Sequence, residues 1–336
     1  MNSEVEHKRL LIMKTLRESE FPLSSGKIHE QLLSKGIEIS ERTVRFHLQV
    51  LDSHGLTEYK EKKGRFLTTR GREELTKAHV YHQVGYLSAK IDEMTCKMNF
   101  DPSSAQGTVL INFSTIDKHY RDVISDSVSP VFSSGLAHGT LMCLFDEGER
   151  IGDCFVTQGK IGIGTVCAIT LNGALIKAGI PIRSIFGGLL EIINGAPSRF
   201  TAIIHYDGTS LDPLEIYISS GMTSILSACI NGEGQIGASF REIPIAAREK
   251  TIEIDSLLKS RGLGGFLKLG YPSQSLLGIP VGDKRVGLVI AGGLNATAPL
   301  GEKGIPIESS ALSGLIDYSK LFHYEELTKR LSQLKK

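Results

Sequence analysis

A chain of 336 residues with a formal net charge of +1 and five cysteines is long enough for two or three domains. It has no apolar amino-terminal segment and no apolar run of about 18 residues, so the sequence predicts neither an export signal nor a membrane span and favours the cytoplasm. The cysteines are odd in number and lack a paired C-x-x-C spacing, which favours reduced thiols over a disulfide framework or a zinc ribbon.

The first 80 residues predict three helices followed by a basic β-hairpin. Apolar residues recur at helical spacing over residues 4–19 and 24–35, and a tight turn precedes a third helix over 40–55. Two strand-like segments, 56–60 and 65–69, then flank a basic tip. This order is typical of a winged helix-turn-helix that binds DNA. The alternative is a winged helix used for protein contacts.

The third helix has two different faces. Val44, Leu48 and Leu51 share one side and can pack into a small core, while Ser40 and Gly55 suit the amino-terminal cap and the position just past the end. In this motif the helix enters the major groove, where arginine can donate twice to guanine and glutamine can pair with adenine. We expect DNA contacts from the outward face and the wing, namely from Arg42, Thr43, Arg45, Phe46, Gln49, Lys62, Lys63 and Arg65.

The charge of this DNA-binding part is only modestly positive. Residues 1–80 carry 15 Lys and Arg against 12 Asp and Glu, and the remainder carries 23 against 25. Avidity of a homodimer therefore fits double-stranded DNA binding better than bulk charge does. A two-fold dimer that reads two half-sites predicts a palindromic operator.

Composition changes after residue 75. Apolar residues at helical spacing over 80–98 predict a helix, which either connects two domains or forms a dimer seam, or else packs on its own domain. The stretch 101–107 has the composition of a linker. From Thr108 onward, short β-branched runs alternate with glycines, which indicates a sheet-rich α/β (α+β) domain. Helices are predicted in this part over 114–123, 171–178, 222–229, 254–259 and 310–318.

An internal repeat is visible in the large domain. Residues 161–182 and 286–307 share glycines and a Gly-Ile-Pro-Ile sequence at one offset, without a gap. Two related halves predict a pseudo-symmetric body, and a cleft between halves is a usual place for a small ligand. The predicted organisation is a winged helix-turn-helix over 1–78, a connecting helix and linker over 79–106, and a large domain over 107–320 with halves of about 107–197 and 198–320.

Catalytic patterns are missing from the sequence. It contains no G-x-S-x-G elbow, no H-E-x-x-H and no P-loop, and the glycine-rich segment 159–164 lacks Rossmann spacing. His79 and His82 are close in sequence but have no third ligand nearby, so neither an enzyme nor a metal site is predicted. Three polar segments remain as candidates for binding: Arg183-Ser184, the run YDGTSLDP at 206–213, and SFREIP at 239–244. Each of them can also be a structural salt bridge or a turn cap.

Four motifs give the sequence a resemblance to a known family: GKIGIGTVCAITLNG, the GIPI-x-S-x-FGGLLEI run, YDGTSLDPLEIYI and GASFREIP. They resemble the NrpR family of archaeal repressors of nitrogen-assimilation genes, and the resemblance covers nearly the whole chain. It implies a winged helix followed by a regulatory domain that senses 2-oxoglutarate. Some members carry two regulatory domains in tandem, and this chain has one. That difference leaves open a homodimer that acts alone or one that needs a second regulatory-domain protein.

The effector implied by this resemblance carries two carboxylates, which need cations or converging amides when they are buried. Arg241 and Arg183 are the candidates for the carboxylates, and Thr209 and Ser210 are the candidate hydroxyl donors. Glu242 is the rival partner of Arg241, in which case the arginine is structural. The expected function is a ligand-responsive repressor without a cofactor. The alternatives are a co-repressor and an enzyme that acts on a small keto acid.

Overall fold

The computed structural model describes residues 3–19, 21–34, 36–60, 63–82 and 86–334, with the backbone alone at 3–7 and 76–82. The chain divides into two compact units, Met1–Val84 and Gly85–Lys336. In the part of the chain that the structure describes, no helix is long and apolar enough to cross a membrane.

The first unit is a winged helix-turn-helix, as the sequence predicted. Its elements are α1 (Ser3–Glu18), α2 (Ser25–Ser34), α3 (Glu41–Ser53), β1 (Thr57–Lys60), β2 (Gly64–Leu67) and α4 (Thr69–His82). The core is formed by the apolar faces of the helices, and Val44, Leu48 and Leu51 of α3 are buried in it, as their spacing required. Ser40 caps α3 by accepting a hydrogen bond from the Thr43 amide at 3.2 Å, which confirms the predicted cap.

The wing is tied to the chain segment before α2. Leu23 and Arg65 exchange two backbone hydrogen bonds, of 2.9 and 2.8 Å, so Leu23 extends the β1–β2 hairpin by one bridge. This close approach is possible because Gly64 has no side chain. Its φ is +111°, and a Cβ there would lie 2.5 Å from the carbonyl carbon and oxygen of Leu23.

The described part of the second unit contains two five-stranded antiparallel sheets, a short two-stranded sheet formed by residues 150–151 and 154–155, and eight α-helices. Its helices are α5 (Tyr86–Lys97), α6 (Arg121–Ser133), α7 (Ile169–Lys177), α8 (Pro213–Ser219), α9 (Ile225–Asn231), α10 (Arg248–Ser260), α11 (Ala298–Glu302) and α12 (Leu327–Gln333). Its strands are β3 (Thr108–Asp117), β4 (Leu141–Phe145), β5 (Arg150–Ile151), β6 (Cys154–Phe155), β7 (Lys160–Val166), β8 (Arg183–Ile193), β9 (Ala196–His205), β10 (Gly234–Pro244), β11 (Lys268–Leu269), β12 (Arg285–Ala291), β13 (Ile307–Asp317) and β14 (Phe322–His323). The strand orders are β13-β3-β7-β4-β14 and β11-β12-β10-β8-β9.

The repeat seen in the sequence is a repeat of structure. The series α5-β3-α6-β4-β7-α7-β8 recurs in order as α8-β10-α10-β11-β12-α11-β13. Strand β12 begins 125 positions after β7, and α10 begins 127 positions after α6. The first series ends at β8 and the second begins at α8, so the segment that contains β9 lies between the two copies.

The two copies exchange their last strands. Strand β8 of the first copy pairs with β10 of the second, and β13 of the second pairs with β3 of the first. Each sheet therefore contains strands of both copies, and the expectation of two halves with a cleft between them needs correction. Both large apolar clusters of the unit likewise combine residues of both sheets.

Two of the predicted helices are wrong. Most of 114–123 belongs to β3 and a short 3-10 turn, with the helix starting only at Arg121, and 310–318 belongs to β13. Residues 109–116 of β3 are buried along their whole length, so this strand is covered on both faces and shows no polar alternation. The loss of that alternation explains the error.

The helix predicted over 80–98 falls on the last residues of α4, which ends at His82, and on α5, and α5 packs on its own domain, which was one of the three interpretations left open. Helix α5 buries Leu87 and Ile91 in a small cluster with Leu110 of β3 and Leu312 of β13, which belong to one sheet, and with Leu294 of the turn after β12.

Replacement of Gly64 by Ala is expected to destabilise the winged helix. Gly36 provides a matched control, because it also has a positive φ, of +76°, but a Cβ added there would meet no heavy atom within 4 Å. Gly36→Ala should therefore cost only the backbone strain of about 1–2 kcal/mol, and Gly64→Ala should cost more because of the added clash. Hydrogen exchange of the α2 and α3 amides measures both costs. Equal losses of protection would contradict the clash.

Candidate functional site

On the outward face of α3, three of the predicted DNA-binding side chains form no hydrogen bond or ion pair with other described residues. Arg42 and Gln49 are exposed, and Phe46 is 56% exposed, with its ring edge-on to the ring of the buried His47 at a centroid distance of 5.5 Å. Arg42 has no ion pair to any residue in the described part of the chain. The helix therefore presents a cation, an amide and an apolar ring on one surface.

Arg45 and Thr43 are held by neighbours. The Arg45 guanidinium forms a 2.7 Å ion pair with Glu41 one turn earlier, and Ser25 of α2 donates to the same carboxylate oxygen at 2.9 Å. These contacts hold the pKa of the Glu41 carboxyl below its usual value. The Thr43 hydroxyl lies 2.8 Å from that of Ser40, within the cap of α3.

The wing residues differ in their surroundings. Lys63 is exposed at the hairpin tip, and Lys62 lies outside the described residues. Arg65 is largely covered, because its Nε donates to Asp52 of α3 at 2.8 Å and its guanidinium lies over the Tyr59 ring. Sequence reasoning placed Arg65 among the DNA contacts, and the structure shows that its side chain joins the wing to α3. Lys63 and Arg65 line one groove of about 430 Å³ together with Lys27.

In the second unit, Arg241 is the most unusual of the predicted residues. It lies in β10 and is only 1% exposed. One terminal nitrogen donates to the carbonyl of Ala168 at 2.9 Å and to the side-chain oxygen of Asn172, and the other donates to the Ser239 hydroxyl at 3.2 Å. The Nε hydrogen has no partner. No carboxylate among the described residues forms an ion pair with Arg241, and burial lowers its pKa.

The expected rival partner, Glu242, faces elsewhere. Neighbouring residues on a strand point to opposite faces. The Glu242 carboxylate accepts a hydrogen bond from the Gly282 amide at 3.0 Å. The structural alternative that the sequence suggested, an Arg241–Glu242 pair, is therefore wrong.

A cavity of about 30 Å³ lies beside Arg241. Its lining is mostly apolar and includes Ile91, Ile169 and Leu294, and four polar residues besides Arg241 also line it, Asn112, Tyr206, Asp212 and Ser239. Burial raises the pKa of the Asp212 carboxyl, although Asp212 accepts backbone hydrogen bonds at the start of α8. A cavity volume of about 10–15 Å³ is enough for one water, so the cavity can hold water beside the guanidinium.

A second cavity of about 350 Å³ adjoins this region and contains Arg183. Its walls are α5, the segment 182–185, Asn172 of α7 and the residues around 205–207. Asn172 links the two cavities, because it lines the larger one and accepts a hydrogen bond from Arg241.

The two predicted hydroxyl donors, Thr209 and Ser210, do not lie at the cavities beside Arg241 and Arg183. Neither lines the cavities beside Arg241 and Arg183, within the residues that the structure describes. The Thr209 hydroxyl donates to the Leu211 carbonyl at 2.9 Å and accepts from the Leu211 amide at 3.1 Å, so it closes its own turn.

The structural repeat supplies an internal comparison for Arg241. Strand pairing places Arg241 opposite Ser184, and it places Ser114 opposite Ser309 in the other sheet. The Ser114 hydroxyl lies 3.1 Å from that of Thr297 and 2.8 Å from that of Ser309. A neutral hydroxyl cluster therefore occupies the equivalent position, and the charge is not a requirement of the fold.

Sequence reasoning missed His138. This residue is fully buried in the turn between α6 and β4, and both of its ring nitrogens lack hydrogen-bond partners. Burial lowers the pKa of His138 from 6.5 to about 3, and the nearby charge of Arg241 acts in the same direction. Nothing in the sequence around it distinguishes it from the other nine histidines.

Family comparisons agree with the two-unit organisation. A family model described as NrpR regulatory domains NRD1 and 2 matches residues 84–323, and a model of the ribonuclease R winged-helix domain matches residues 10–75. A Methanosarcina mazei protein named Global nitrogen regulator NrpRI is 35% identical over 321 residues, which is 96% of this chain and 99% of that protein.

Longer relatives and a solved structure show the same likeness. Proteins named Global nitrogen regulator NrpR from Methanocaldococcus jannaschii and Methanococcus maripaludis are each 30% identical over 95% and 97% of this chain. The chain spans only 55% and 56% of their lengths. A crystal structure described as a nitrogen repressor-like protein from Methanococcus jannaschii superposes with a TM-score of 0.60 at 32% identity, over 70% of this chain and 97% of that one.

His138 is expected to make folding sensitive to mild acid. Its pKa is about 3 in the folded chain and 6.5 when unperturbed, so between these values the unfolded chain binds a proton that the folded chain does not. The free energy of unfolding should therefore fall as pH decreases below 6.5, by at most about 1.4 kcal/mol per pH unit. Denaturant unfolding between pH 5 and 6.5 should show a flatter slope for His138→Leu. His119→Gln, at an exposed histidine, should keep the slope of the unaltered chain. Equal slopes for all three chains would contradict the buried histidine.

Proposed function

The chain belongs to the NrpR family of nitrogen regulators, and on that premise we propose that it is a transcriptional repressor that binds operator DNA through its winged helix and is released by 2-oxoglutarate. Its relatives are named global nitrogen regulators, so genes of nitrogen metabolism are the proposed targets. The observation that carries the ligand-responsive part is the buried Arg241 guanidinium without a carboxylate partner.

The proposed DNA surface is the outward face of α3. Arg42 and Gln49 have the donors that read guanine and adenine, and Phe46 offers an apolar contact for the thymine methyl group. Arg45 forms an ion pair with Glu41. A contact between Arg45 and DNA therefore requires that a base or a phosphate replaces Glu41 as its partner. Lys63 at the wing tip contributes charge toward the phosphate backbone.

A homodimer on a palindromic operator is part of the proposal. A single winged helix buries a small interface, and specific affinity commonly comes from two half-sites read together. The modest positive charge of residues 1–80 supports this arrangement, because it supplies little non-specific affinity.

The proposed effector site comprises the 350 Å³ cavity and Arg241 behind it. A charge buried without a counter-ion is costly, and a ligand carboxylate would supply the missing counter-ion. The exchange involves Asn172, whose amide oxygen now accepts from Arg241 at the boundary between the two cavities. A carboxylate makes a stronger, charge-assisted bond than an amide. Arg183, which lines the same 350 Å³ cavity as Asn172, is the proposed partner of the second carboxylate.

Base reading by α3 predicts two different phenotypes. Arg42→Ala should cost about 1–3 kcal/mol in operator affinity and relax the preference at one base pair. Lys63→Ala should weaken operator and unrelated DNA equally and reduce the salt dependence of binding. Gel shifts with a two-half-site operator, a single half-site and mutated sites at several salt concentrations separate these effects. A change of base preference in Lys63→Ala but not in Arg42→Ala would show that the roles of helix and wing are reversed.

Removal of the buried charge predicts loss of release. Arg241→Met keeps much of the side-chain volume and removes the cation, so the variant should bind operator DNA but no longer bind 2-oxoglutarate by calorimetry or leave DNA when it is added. Arg183→Ala, at the exposed end of the site, should weaken 2-oxoglutarate binding without abolishing it. Circular dichroism and melting check that Arg241→Met is folded. A folded Arg241→Met chain that is released normally would exclude Arg241 from the effector site.

A further inference from the structure

We infer that Thr95 belongs to the effector site and that its helix, α5, is the movable wall that carries the presence of the ligand toward the DNA-binding unit. This inference rests on the proposed function, because it concerns the same site and the same ligand. It adds a residue that no sequence motif indicated, and a direction in which the site must move.

The first observation is an unpaired hydroxyl. Thr95 is 4% exposed, and its hydroxyl oxygen has no hydrogen-bond partner. It lines the 350 Å³ cavity together with the segment that carries Arg183 and Ser184. Buried hydroxyls are normally hydrogen-bonded, and a threonine in a helix usually donates to its own backbone. The hydroxyl oxygen itself is buried, so it can pair with a ligand oxygen in the cavity only when α5 shifts.

The second observation is that Ile91 separates the two cavities. Ile91 lies one turn before Thr95, is 4% exposed, and lines both the 30 Å³ cavity beside Arg241 and the 350 Å³ cavity. The smaller cavity, of about 30 Å³, is too small to hold a whole dicarboxylate. A ligand that extends from the larger cavity into the space beside Arg241 passes Ile91, and we propose that it displaces Ile91 and with it the helix.

The third observation is how α5 is attached. It is packed on α7, on β13 and on the turn at 206–208, and it buries Leu87 and Ile91 in a small cluster. It is the first helix of the second unit, and its first residue, Tyr86, follows directly on the boundary between Val84 and Gly85. A shift of α5 therefore moves the first described residues of the second unit.

These observations give one sequence of events. In the absence of ligand, Ile91 lies between the larger cavity and the cavity beside Arg241, and α5 keeps the position described above. When 2-oxoglutarate enters, one carboxylate takes the place of Asn172 on Arg241, Thr95 donates to a ligand oxygen, and Ile91 moves outward. Because the ligand prefers the displaced helix, binding shifts the population toward that state. DNA affinity changes only to the extent that this state disfavours the operator-bound arrangement.

The test compares three substitutions on α5 in the full chain. Thr95→Val keeps the shape of the side chain and removes the hydroxyl. Ile91→Ala opens the space over Arg241 without moving the helix. Leu87→Ala is the matched control, because Leu87 is equally buried on the same helix but lines neither cavity. Calorimetry with 2-oxoglutarate gives affinity, a gel shift gives the concentration that releases half of the operator, and hydrogen exchange reports on the α5 amides.

The inference predicts a different result for each. Thr95→Val should bind 2-oxoglutarate about fivefold more weakly, as expected for one lost hydrogen bond. Ile91→Ala should bind 2-oxoglutarate at least as tightly as the unaltered chain. The concentration that releases half of the operator, divided by the dissociation constant, should nevertheless rise about fivefold, because the ligand no longer displaces the helix. Leu87→Ala should speed hydrogen exchange of the α5 amides. It should leave unchanged the ratio of the half-release concentration to the dissociation constant of 2-oxoglutarate. In the unaltered chain, 2-oxoglutarate should increase exchange of the α5 amides.

Two outcomes would overturn the inference in distinguishable ways. If the unaltered chain binds 2-oxoglutarate and releases DNA while α5 exchange stays constant and Ile91→Ala behaves like Leu87→Ala, the site is right and α5 is not its moving wall. If the unaltered chain does not bind 2-oxoglutarate at all, the effector assigned under the proposed function is wrong, and the role of α5 is lost with it.

Discussion

The exchange of terminal strands between the two repeats is the constraint on which the regulatory unit depends. Strand β8 completes the sheet of the second copy and β13 completes that of the first, so neither sheet is complete with the strands of one copy alone. The buried strands bring their polar residues together at the centre of the body instead of at a cleft between two lobes. Arg241 and Ser184 face each other in one sheet because of this pairing, and Ser114 and Ser309 do so in the other.

The repeat also distinguishes what the fold requires from what function requires. The equivalent positions in the two sheets hold a guanidinium in one case and a cluster of three hydroxyls in the other. Because the hydroxyl cluster satisfies itself and the guanidinium does not, the two copies are structurally alike but chemically different. A buried cation is kept in a protein at a considerable cost in solvation. That cost has a physical explanation when a ligand anion completes the site.

In the winged helix, local contacts determine which side chains are available for contacts with DNA. Ser40 and Gly55 set the limits of α3, and its apolar face fixes the orientation of the rest. Glu41 and Asp52 then engage Arg45 and Arg65, so two of the predicted DNA-binding arginines begin in ion pairs. Arg42, Gln49 and Phe46 remain on the outside, and these three side chains define the surface available for base contacts.

Sequence alone determined the parts of the protein that depend on short-range periodicity: the winged helix, the two faces and caps of α3, and the existence of a repeat. Helical spacing and capping are local properties, so they can be read from neighbouring residues. Sequence did not determine the strand character of 114–117 and 310–317, because strands covered on both faces lose the alternation that identifies them. Nor did it show that Thr209 closes its own turn or that Arg65 joins the wing to α3.

Only the tertiary structure decided which polar groups meet. Residues far apart in sequence meet at the site: strand pairing places Arg241 opposite Ser184, and Asn172 of α7 accepts a hydrogen bond from Arg241. Ile91 and Thr95 reach the same place from a helix that precedes both sheets. One site relation was present in the sequence: once 234–244 is known to be a strand, Arg241 and Glu242 must face opposite sides. The rest depended on long-range pairing, which short-range periodicity does not encode.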